Sequence, residues 1–504
     1  MQLKVLCDAA GIVCPREEWG REIRGISSNS ARVDAGYLFV CIRGLRADGH
    51  DYIEEAIERG AVCVLTDRYA NVSAPTEDVL ILQCGDPRAA LAHVWHAWYG
   101  FPARELKLIG VTGTNGKTSV THMIRAILEG NLHRCGLIGT VGCYSCGRAV
   151  DGSDGNPLAN MTTPDPEALY RVLADMVADH VEYVVMEVSS HALALKKLEP
   201  LHFRVGVFTN LTPEHLDFHK TMEAYAAAKA ELFERCDVCV FNADSPYASQ
   251  METHAKGRSL RCTARDADAD YCAESVELLA GAGIRYRLRS LRTRINLSCP
   301  IPGAFTVSNS MQAAIVALEL GCPPAVIKSV LGALSPIKGR MERVKLGVGA
   351  DFTVIIDYAH TPDALEKLLR TARELVAKNG RLLLLFGCGG DRDKTKRAVM
   401  GRIASNLADG VILTSDNSRS EDPEQILREI LSGMEQEPLC VLCDREAAIR
   451  YAIGQARCGD VLLLAGKGHE QYEITREGKR PFHEEEIAKD AFAARVKDRT
   501  EPTI

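Results

Sequence analysis

The chain has 504 residues, too many for a single hydrophobic core, so we expect two to four domains. Its hydrophobic content of 46% and charged content of 25% are ordinary for a soluble globular protein. The net charge of −7 gives no reason to expect nucleic acid or an anionic membrane as a partner, and no apolar stretch approaches the ~18–20 residues that span a bilayer. The N-terminus does not resemble a signal peptide, and the 18 cysteines are scattered. We therefore expect free thiols in a reducing cytoplasm.

Strand-like runs of Val, Ile and Leu alternate with amphipathic helix-like segments, which predicts an α/β fold with mainly parallel sheets. Three blocks can be separated. Residues 1–101 predict a small α/β N-terminal domain, and residues 102–336 a central ATPase-like domain with a parallel sheet around a phosphate loop. Residues 337–504 predict a Rossmann-like C-terminal domain. The polar segment 243–298 is expected to form strands and turns appended to the central block.

The most informative motif is the glycine-rich turn Gly110-Val-Thr-Gly-Thr-Asn-Gly-Lys-Thr-Ser119, which lies between a strand-like run and a helix-like segment. Free backbone N–H groups in such a turn can surround phosphate oxygens at the positive end of the helix. Lys117 is suited to the outer phosphates and the Thr118 hydroxyl to Mg²⁺. Five residues separate Gly110 from Gly116, where the common pattern has four. The turn is thus a variant phosphate loop, and it predicts binding of a nucleoside triphosphate.

Polar clusters follow two further strands of the central block, where catalytic residues are expected in a parallel sheet. In the first cluster, Glu187 would give Mg²⁺ a hard oxygen ligand, and in the second, His215 would give a nitrogen ligand. His191 and His219 fit equally well as functional groups or as buried core histidines. Lys229, on the helix that follows, is by itself no more than a surface lysine.

These motifs together resemble the Mur ligases of peptidoglycan synthesis. The resemblance rests on Gly-Thr-Asn-Gly-Lys-Thr, Glu-Val-Ser-Ser-His and Asn-Leu-Thr-x-x-His-Leu-Asp-x-His, and the variant loop spacing is the family's own. Motifs of the third block are similar to the branch that adds the third amino acid, to UDP-N-acetylmuramoyl-L-alanyl-D-glutamate. They are Gly339-Arg-Met-Glu342, Asp357-Tyr-Ala-His360, Asp391-Arg-Asp-Lys394, Asp416-Asn-Ser-Arg419 and Gly466-Lys-Gly-His-Glu470.

The resemblance implies an amide ligase that uses ATP and Mg²⁺. ATP would phosphorylate the γ-carboxylate of the D-glutamate, and the incoming amine would attack the acyl phosphate. Mg²⁺ and cationic side chains offset the repulsion between the two anions that must approach each other. The lysine that matches Lys229 is carbamylated in the family, which turns a cation into a carboxylate-like metal ligand.

The resemblance also implies roles for individual positions. The catalytic residues would be Lys117, Glu187, His215 and Lys229, and the metal ligands Thr118, Glu187, His215 and Lys229. The residues matching those that bind ATP are Gly113, Thr114, Asn115, Gly116, Lys117, Thr118, Ser119, Asn309 and Arg340. The residues matching those that bind the nucleotide-peptide or the amine are Ser30, Thr162, Thr163, Ser189, Lys197, Arg392, Asp416, Asn417, Ser418, Arg419, Gly466 and Glu470.

The sequence departs from the family pattern at three places. Ala31 follows Ser30 where an arginine is usual, and Thr306 stands where the family has an asparagine. Lys197 replaces an expected arginine, which keeps the charge and loses the bidentate geometry. None of these positions lies in the phosphate loop or among the implied metal ligands.

The amine substrate is expected to be meso-diaminopimelate rather than L-lysine. The two differ by one carboxylate, and an arginine can hold that group with two parallel hydrogen bonds. The family's diaminopimelate enzymes carry Asp-Asn-Pro-Arg at this point; here Ser418 replaces the proline, and Arg419 is retained. Glu470 suits the distal ammonium. Against this, Arg419 could be a solvated charge beside Glu421 and Asp422, and an L-lysine-adding enzyme remains the alternative.

Other classes are less consistent with these motifs. A phosphate-loop ATPase switch would couple hydrolysis to a conformational change, but neither a guanine-specifying Asn-Lys-x-Asp nor a second nucleotide-binding block is present in the sequence. Folylpolyglutamate synthase shares the phosphate loop, but its reaction gives no reason for the Asp-Asn-x-Arg motif. A catalytically silent homologue is disfavoured because Lys117, Glu187, His215 and Lys229 are all intact. We expect a cytoplasmic monomer.

Overall fold

The computed structural model describes residues 1–44, 47–68, 78–150, 161–265, 268–279 and 281–500. Their strands form sheets of four, eleven and six strands and one two-stranded hairpin, in chain order. Short 3₁₀ helices occur at Arg16–Glu18, Ser30–Arg32, Gly49–Tyr52, Pro102–Arg104 and Glu231–Arg235. No helix among these residues is both long and apolar enough to cross a membrane.

The N-terminal sheet is parallel, with strands in chain order. Its strands are β1 (Gly25–Ser27), β2 (Tyr37–Val40), β3 (Ala61–Thr66) and β4 (Leu80–Gln83), and its helices are α1 (Leu3–Ala10), α2 (Ile53–Glu58) and α3 (Pro87–Trp98). Side chains alternate across β3, so that Cys63 and Leu65 pack towards α1 and α3 while Val64 packs towards α2. The sheet is therefore covered by helices on both faces.

The central sheet has the order β15-β14-β13-β12-β11-β10-β5-β9-β6-β7-β8. Its strands are β5 (Lys107–Thr112), β6 (Cys135–Gly139), β7 (Gly142–Ser145), β8 (Arg148–Ala149), β9 (Tyr183–Glu187), β10 (Phe203–Phe208), β11 (Cys236–Asn242), β12 (Arg258–Thr263), β13 (Tyr271–Leu279), β14 (Gly283–Arg289) and β15 (Arg294–Cys299). Its helices are α4 (Lys117–Gly130), α5 (Pro166–Ala178), α6 (Ser190–Ala194), α7 (Leu216–His219), α8 (Met222–Ala230), α9 (Ala248–Glu252), α10 (Phe305–Glu319) and α11 (Pro324–Gly332).

The middle of this sheet is buried on both faces. On β9, Val184 and Met186 enter the core beneath α5 and α8, whereas Tyr183 and Val185 enter the core beneath α4 and α10. A strand buried on both faces reads as a continuous apolar run, which is why the sequence predicted it well.

The polar segment 243–298 forms strands attached to the central block, as expected, and these strands extend the central sheet. β12 pairs in parallel with both β11 and β13, and β14 and β15 then continue the same sheet through the antiparallel pairs β13–β14 and β14–β15. The predicted parallel arrangement therefore holds for the centre of the sheet, and its two edges are antiparallel.

The C-terminal sheet has the order β16-β17-β21-β18-β19-β20 and is parallel except for β16. The strands are β16 (Glu342–Arg343), β17 (Thr353–Asp357), β18 (Leu382–Phe386), β19 (Gly410–Thr414), β20 (Cys440–Leu442) and β21 (Val461–Ala465), with the hairpin β22 (Tyr472–Thr475) and β23 (Gly478–Pro481). The helices are α12 (Pro362–Arg373), α13 (Lys396–Leu407), α14 (Pro423–Leu431), α15 (Arg445–Gln455) and α16 (Glu484–Thr500).

Helices cover both faces of the C-terminal sheet. The first three, α12 to α14, pack on one face, and α15 and α16 pack on the other. This doubly wound arrangement confirms the predicted Rossmann-like α/β class. In such a sheet, ligands bind outside the carboxyl ends of the strands. The limits 1–101, 102–336 and 337–504 of the three domains stay a prediction.

Candidate active site

The phosphate loop joins the end of β5 to the start of α4, in the middle of the central sheet. Gly113 and Gly116 both have positive φ, +146° and +89°. A Cβ atom at Gly113 would collide with Thr209 Oγ1, and one at Gly116 would lie 2.7 Å from Asn309 Oδ1. Glycine is therefore required at both positions, by backbone conformation and by space.

Asn115 is the most strongly held residue of the loop. Its N–H donates to Asn210 Oδ1 at 3.0 Å, and its carbonyl accepts from Asn210 Nδ2 at 3.0 Å and from Thr209 Oγ1 at 2.6 Å. Its side-chain Nδ2 donates to Asp363 Oδ2, at 2.8 Å, in the C-terminal region. Asn210 was not among the predicted site residues, although it belongs to the Asn-Leu-Thr motif and could have been named from it.

Two lysines, one half-buried and one buried, donate to the same carbonyl of the loop. Lys117 Nζ donates to Gly113 O and Thr114 O, each at 2.9 Å, and Lys229 Nζ donates to Gly113 O at 3.0 Å. Burial lowers the pKa of Lys117, and burial with the nearby Lys117 charge holds the pKa of Lys229 well below its usual value. Lys229 is 1% exposed, so it is not the surface lysine that its sequence alone suggested.

Glu187 ends β9 and lies beside the start of α4. Its Oε1 accepts from Thr118 Oγ1 at 2.9 Å and from the Thr140 N–H at 3.0 Å, and its Oε2 accepts from Thr140 Oγ1 at 3.0 Å. The residue is 1% exposed. Its carboxylate is thus held in one orientation beside the phosphate loop, and Thr140, which was not predicted, provides most of that support.

The three histidines of the strand-end clusters differ in what they face. His215 lines the cavity, has a left-handed backbone with φ of +57°, and has a pKa lowered by burial to about 3. His219 Nε2 lies 2.9 Å from Ser190 Oγ, and its ring packs 5.0 Å from the Tyr225 ring. The His191 ring stands edge-on to His215, 4.7 Å between centroids. His219 therefore fits the role of a satisfied core histidine, and His215 is the one placed to meet a ligand.

Residues from the C-terminal region reach across to the phosphate loop. Arg340 Nη2 donates to Thr118 Oγ1 at 3.1 Å, and His469 Nε2 donates to the Thr140 carbonyl at 3.1 Å. His360 Nε2 lies 3.0 Å from Glu214 Oε1. Burial raises the pKa of Glu214, but the hydrogen bond from His360 and nearby positive charges outweigh burial and hold that pKa well below its usual value.

The loops after β18 and β19 bring two arginines together. Arg419 has a φ of +52°, and its Nη1 donates to Gly390 O at 2.8 Å and to Asn417 O at 3.2 Å. Burial and the neighbouring charge of Arg419 lower the pKa of Arg392. Gly389 separates the two arginines, because a Cβ atom there would lie 3.0 Å from Arg419 Nη1. The pair makes this end of the C-terminal sheet suitable for an anion.

Opposite charges lie beside these arginines. Asn417 Nδ2 donates to Glu470 Oε2 at 2.7 Å, and Asn417 Oδ1 accepts from Lys467 Nζ at 3.0 Å. Burial and the Asp416 charge raise the pKa of Glu470, whereas the charges of Lys467 and Arg445 outweigh burial and lower the pKa of Asp416. The pocket therefore offers cations and carboxylates together, as a zwitterionic ligand needs.

A single cavity of about 370 Å³ extends from the phosphate loop to this pocket. It brings together most of the residues that the sequence predicted. Those on its wall are Thr114, Asn115, Gly116, Lys117, Thr118, Ser119, Thr162, Glu187, His215, Asn309, Arg340, Arg392, Asp416, Asn417, Arg419, Gly466 and Glu470. Residues on the wall that were not predicted include Thr140, Asn210, Glu214, Asp217, Lys367 and Lys396.

Other predicted residues lie behind the wall or away from it. Thr163 Oγ1 accepts from the Ser189 N–H and donates to the main-chain carbonyl of Glu187, so this pair holds the end of β9. Lys197 Nζ is 2.6 Å from Asp165 Oδ1. Ser30 Oγ donates to Glu55 Oε2 at 2.8 Å in the N-terminal region.

Gly113, Lys229 and Ser418 lie next to residues of the wall. Gly113 and Lys229 meet at the Gly113 carbonyl, and Ser418 O would meet a Cβ atom placed on Gly390. The roles of all the predicted residues stay predictions.

Known proteins match the chain from end to end. Family models match it as Mur ligase family, catalytic domain (residues 22–99), Mur ligase middle domain (111–317) and Mur ligase, glutamate ligase domain (339–468). The UDP-N-acetylmuramoyl-L-alanyl-D-glutamate--2,6-diaminopimelate ligase of Caldanaerobacter subterraneus subsp. tengcongensis is 42% identical over 94% of this chain and 95% of that protein. The protein of the same name from Clostridioides difficile is 37% identical over 98% and 100%.

The fold of the chain is similar to that of solved ligase structures. One of a UDP-N-acetylmuramoyl-L-alanyl-D-glutamate--2,6-diaminopimelate ligase has a TM-score of 0.67 and 28% identity, and covers 98% of this chain and 100% of that one. Mycobacterium tuberculosis folylpolyglutamate synthase, complexed with ADP and AMPPCP, has a TM-score of 0.62 at 17% identity over 82% and 96%, which shows a shared fold alone. The models cover all three sheets, and the relatives exceed a third in identity over nearly the whole length. The chain belongs to the Mur ligase family.

Proposed function

We propose that the protein is an ATP-dependent ligase of peptidoglycan precursor synthesis. It joins meso-2,6-diaminopimelate to the γ-carboxylate of D-glutamate in UDP-N-acetylmuramoyl-L-alanyl-D-glutamate. The observation that carries the proposal is the continuous cavity between the phosphate loop and the mixed-charge pocket of Arg392, Arg419 and Glu470. The names of relatives about 40% identical over nearly the full length support the same reaction.

The two lysines and Arg340 prepare the region where charge develops during phosphoryl transfer. ATP phosphorylates the γ-carboxylate, the amine attacks the acyl phosphate, and the tetrahedral intermediate collapses to the amide with release of phosphate. The first step brings two anions together, so cations in a buried site lower its barrier. Lys117 donates to carbonyls of the loop and Arg340 to the Thr118 hydroxyl, so both cations lie where they can neutralise phosphate oxygens.

The donor atoms beside the loop fit Mg²⁺ if Lys229 is carbamylated. Among the residues that the structure describes, no three His, Cys, Asp or Glu side chains gather at metal-binding distance. Mg²⁺ commonly uses one or two carboxylates together with phosphate oxygens, and Glu187 with Thr118 meets that pattern. A free lysine would repel the ion, but its lowered pKa favours the neutral amine that adds CO₂. The bound ion would neutralise charge between the nucleotide and the acyl group, with His215 as a further ligand.

The C-terminal pocket selects the amine by its second carboxylate. Arg419 is oriented by two carbonyls, which leaves a planar guanidinium to hold a carboxylate bidentately, and Arg392 adds a second cation. Glu470 is suited to an ammonium group. L-Lysine lacks the distal carboxylate, so it would leave the half-buried Arg419 guanidinium without an anionic partner. A cytoplasmic location, a monomeric state, and the absence of nucleic-acid or membrane partners are part of the same proposal.

The test offers the purified protein ATP, the nucleotide-peptide and one of three amines, namely diaminopimelate, L-lysine or ornithine. ADP release and product mass are measured. We expect ADP release to require both the nucleotide-peptide and an amine, and ligation of diaminopimelate to be at least tenfold faster than that of L-lysine. Equal or faster ligation of L-lysine would contradict the amine assignment. Sustained ATP turnover without an amine would favour an ATPase switch.

A further inference from the structure

Arg445 is a fully buried arginine behind the C-terminal pocket. It begins α15, its side chain is 0% exposed, and its Nε donates to Glu484 Oε1 at 2.7 Å. Glu484 begins α16 and its side chain is 2% exposed. Each of these two buried charges is stabilised by the other, because either one alone would be an uncompensated charge in the interior.

The guanidinium of Arg445 also ties the ends of two strands together. Its Nη1 donates to Ser415 O at 3.0 Å, directly after β19, and its Nη2 donates to Ala465 O at 2.9 Å, the last residue of β21. These strands are not neighbours, because β18 lies between them. No ladder hydrogen bond can therefore join them, and Arg445 bridges the gap directly.

The residues that follow these two carbonyls face the cavity and touch one another. A Cβ atom on Gly466 would lie 2.6 Å from Asp416 Oδ2. Asn417 Nδ2 donates to Glu470 Oε2 at 2.7 Å. Contacts this close leave little room for the two segments to move relative to each other, so a shift of either strand end would misplace the groups that meet the amine.

We propose that Arg445, held by Glu484, is a positioning residue that fixes the spacing between the segments 416–419 and 466–470 and so sets the affinity for the amine substrate. The inference rests on the proposed function, since it takes this pocket to be the amine site. Arg445 touches no substrate; it acts through the main chain of Ser415 and Ala465.

An arginine suits this position and a lysine does not. The planar guanidinium directs donors along fixed axes, to Glu484 on one edge and to the two carbonyls with its terminal nitrogens. A lysine has one nitrogen, which cannot reach a carboxylate and two separate carbonyls at once. Arg445→Lys therefore keeps the charge opposite Glu484 and removes the tie between the strands.

The experiment measures KM for each substrate, kcat and the melting temperature of Arg445→Lys. We expect KM for diaminopimelate to rise at least tenfold, about 1.4 kcal/mol of binding free energy. We expect KM for ATP and for the nucleotide-peptide to stay within about twofold, because the phosphate-loop contacts lie on another sheet.

Arg381→Lys is the matched control. Arg381 pairs with Asp460 at 2.7 Å, just before the starts of β18 and β21, whereas the pocket lies beyond the ends of the strands. Substitution of Arg381 therefore perturbs the same sheet away from the pocket. We expect it to lower the melting temperature without changing KM for the amine. An equal rise in all three KM values for Arg445→Lys, or the same rise in amine KM for Arg381→Lys, would overturn the inference.

Glu484→Gln keeps the test decisive if Arg445→Lys does not fold. Its amide oxygen can still accept from Arg445 Nε, but the balancing charge is gone. We expect a smaller rise in amine KM, roughly threefold, with the other two KM values unchanged. An amine KM within experimental error of the wild type would overturn the inference. Failure of the wild-type enzyme to ligate any amine would instead defeat the proposed function, so the two failures are distinguishable.

Discussion

In the phosphate-loop region, Lys117 and Lys229 donate to main-chain carbonyls, whereas in the C-terminal pocket Lys467 lies between two carboxylates. Lys467 Nζ is 3.9 Å from Asp416 Oδ1 and 3.8 Å from Glu470 Oε2. Within the described part of the chain, neither Lys117 nor Lys229 has a carboxylate within 4.0 Å of its Nζ. The lysines of the phosphate loop thus have main-chain partners, whereas Lys467 of the C-terminal pocket has two carboxylates close by.

We therefore expect the two regions to differ in how much electrostatic free energy each gains when its ligand binds. Burying a cation without a partner costs free energy, and that cost is recovered when an anion arrives. The phosphate loop would recover it on binding a polyphosphate, so nucleotide binding should stabilise the protein strongly. In the C-terminal pocket, Lys467, Asp416 and Glu470 offset one another's charge, so the free energy gained from a ligand would come mainly from Arg392 and Arg419. We propose that this pocket selects the amine.

Lys229→Ala is expected to have the largest effect. It removes the side chain that we propose to be carbamylated, and ligation should fall by at least about 10³-fold, as for loss of a group that acts at the reacting atoms. Nucleotide binding should persist, because Lys117 and the loop N–H groups remain. Calorimetric titration with an ATP analogue and a ligation assay measure the two separately.

The matched control for this variant is Lys107→Ala. Lys107 begins β5, at the opposite end of the strand from the phosphate loop. Its removal should leave ligation within about twofold, as expected of a surface substitution. Short-chain carboxylic acids should partly restore Lys229→Ala if a carboxylate is what the alanine lacks. A mild loss that such acids do not affect would count against the carbamate.

The two regions also differ in how far the sequence could predict them. The phosphate loop is contiguous, so Lys117, Thr118 and the required glycines follow from local spacing. The central strands could also be predicted from local sequence, because burial on both faces gives each of them a continuous apolar run. The metal-ligand roles of Glu187 and His215 followed from polar clusters at strand ends, the role of Lys229 came from the resemblance to the family, and all three stay predictions.

Long-range partners explain what could not be predicted. Arg445 lies 39 positions from Glu484 and 30 from Ser415, and His469 lies 329 from Thr140. Nothing in the neighbouring residues of Arg445 or His469 marks them as buried, because their partners come from other elements. The sequence indicated strands in the segment 243–298 but not their order in the central sheet, since strand order is decided by pairing between distant segments.

Arg419→Lys tests the C-terminal pocket, and its effect should lie between those of the Lys229 and His469 substitutions. A lysine keeps the charge but loses the planar fork, so KM for diaminopimelate should rise about tenfold, the equivalent of about 1.4 kcal/mol. The rate with L-lysine should hardly change, because that amine has no distal carboxylate to lose. The measurement is KM and kcat for both amines. A parallel loss with both amines would mean that Arg419 supports the loop and does not select the substrate.

His469 connects the two regions, and its substitution should have the smallest effect. The residue precedes Glu470 of the amine pocket, and its Nε2–H donates to the carbonyl of Thr140, whose N–H and hydroxyl hold Glu187. Burial lowers the pKa of His469 to about 3, so the ring stays neutral and the link does not titrate near neutral pH. His469→Leu leaves that carbonyl without its donor, at a cost of about 1–3 kcal/mol.

We expect His469→Leu to lower kcat about threefold to tenfold, because Glu187 is then held less firmly against the loop. His469→Gln is the matched control, since its amide N–H can occupy nearly the same position as Nε2–H and should keep kcat within about twofold. Steady-state kinetics with diaminopimelate, at several pH values between 6.5 and 8.5, distinguish the two variants. If both lose activity equally, the shape of the ring matters and the hydrogen bond does not. If neither variant loses activity, the hydrogen bond from His469 to Thr140 does not couple the two regions. They then share a cavity but act as independent sites.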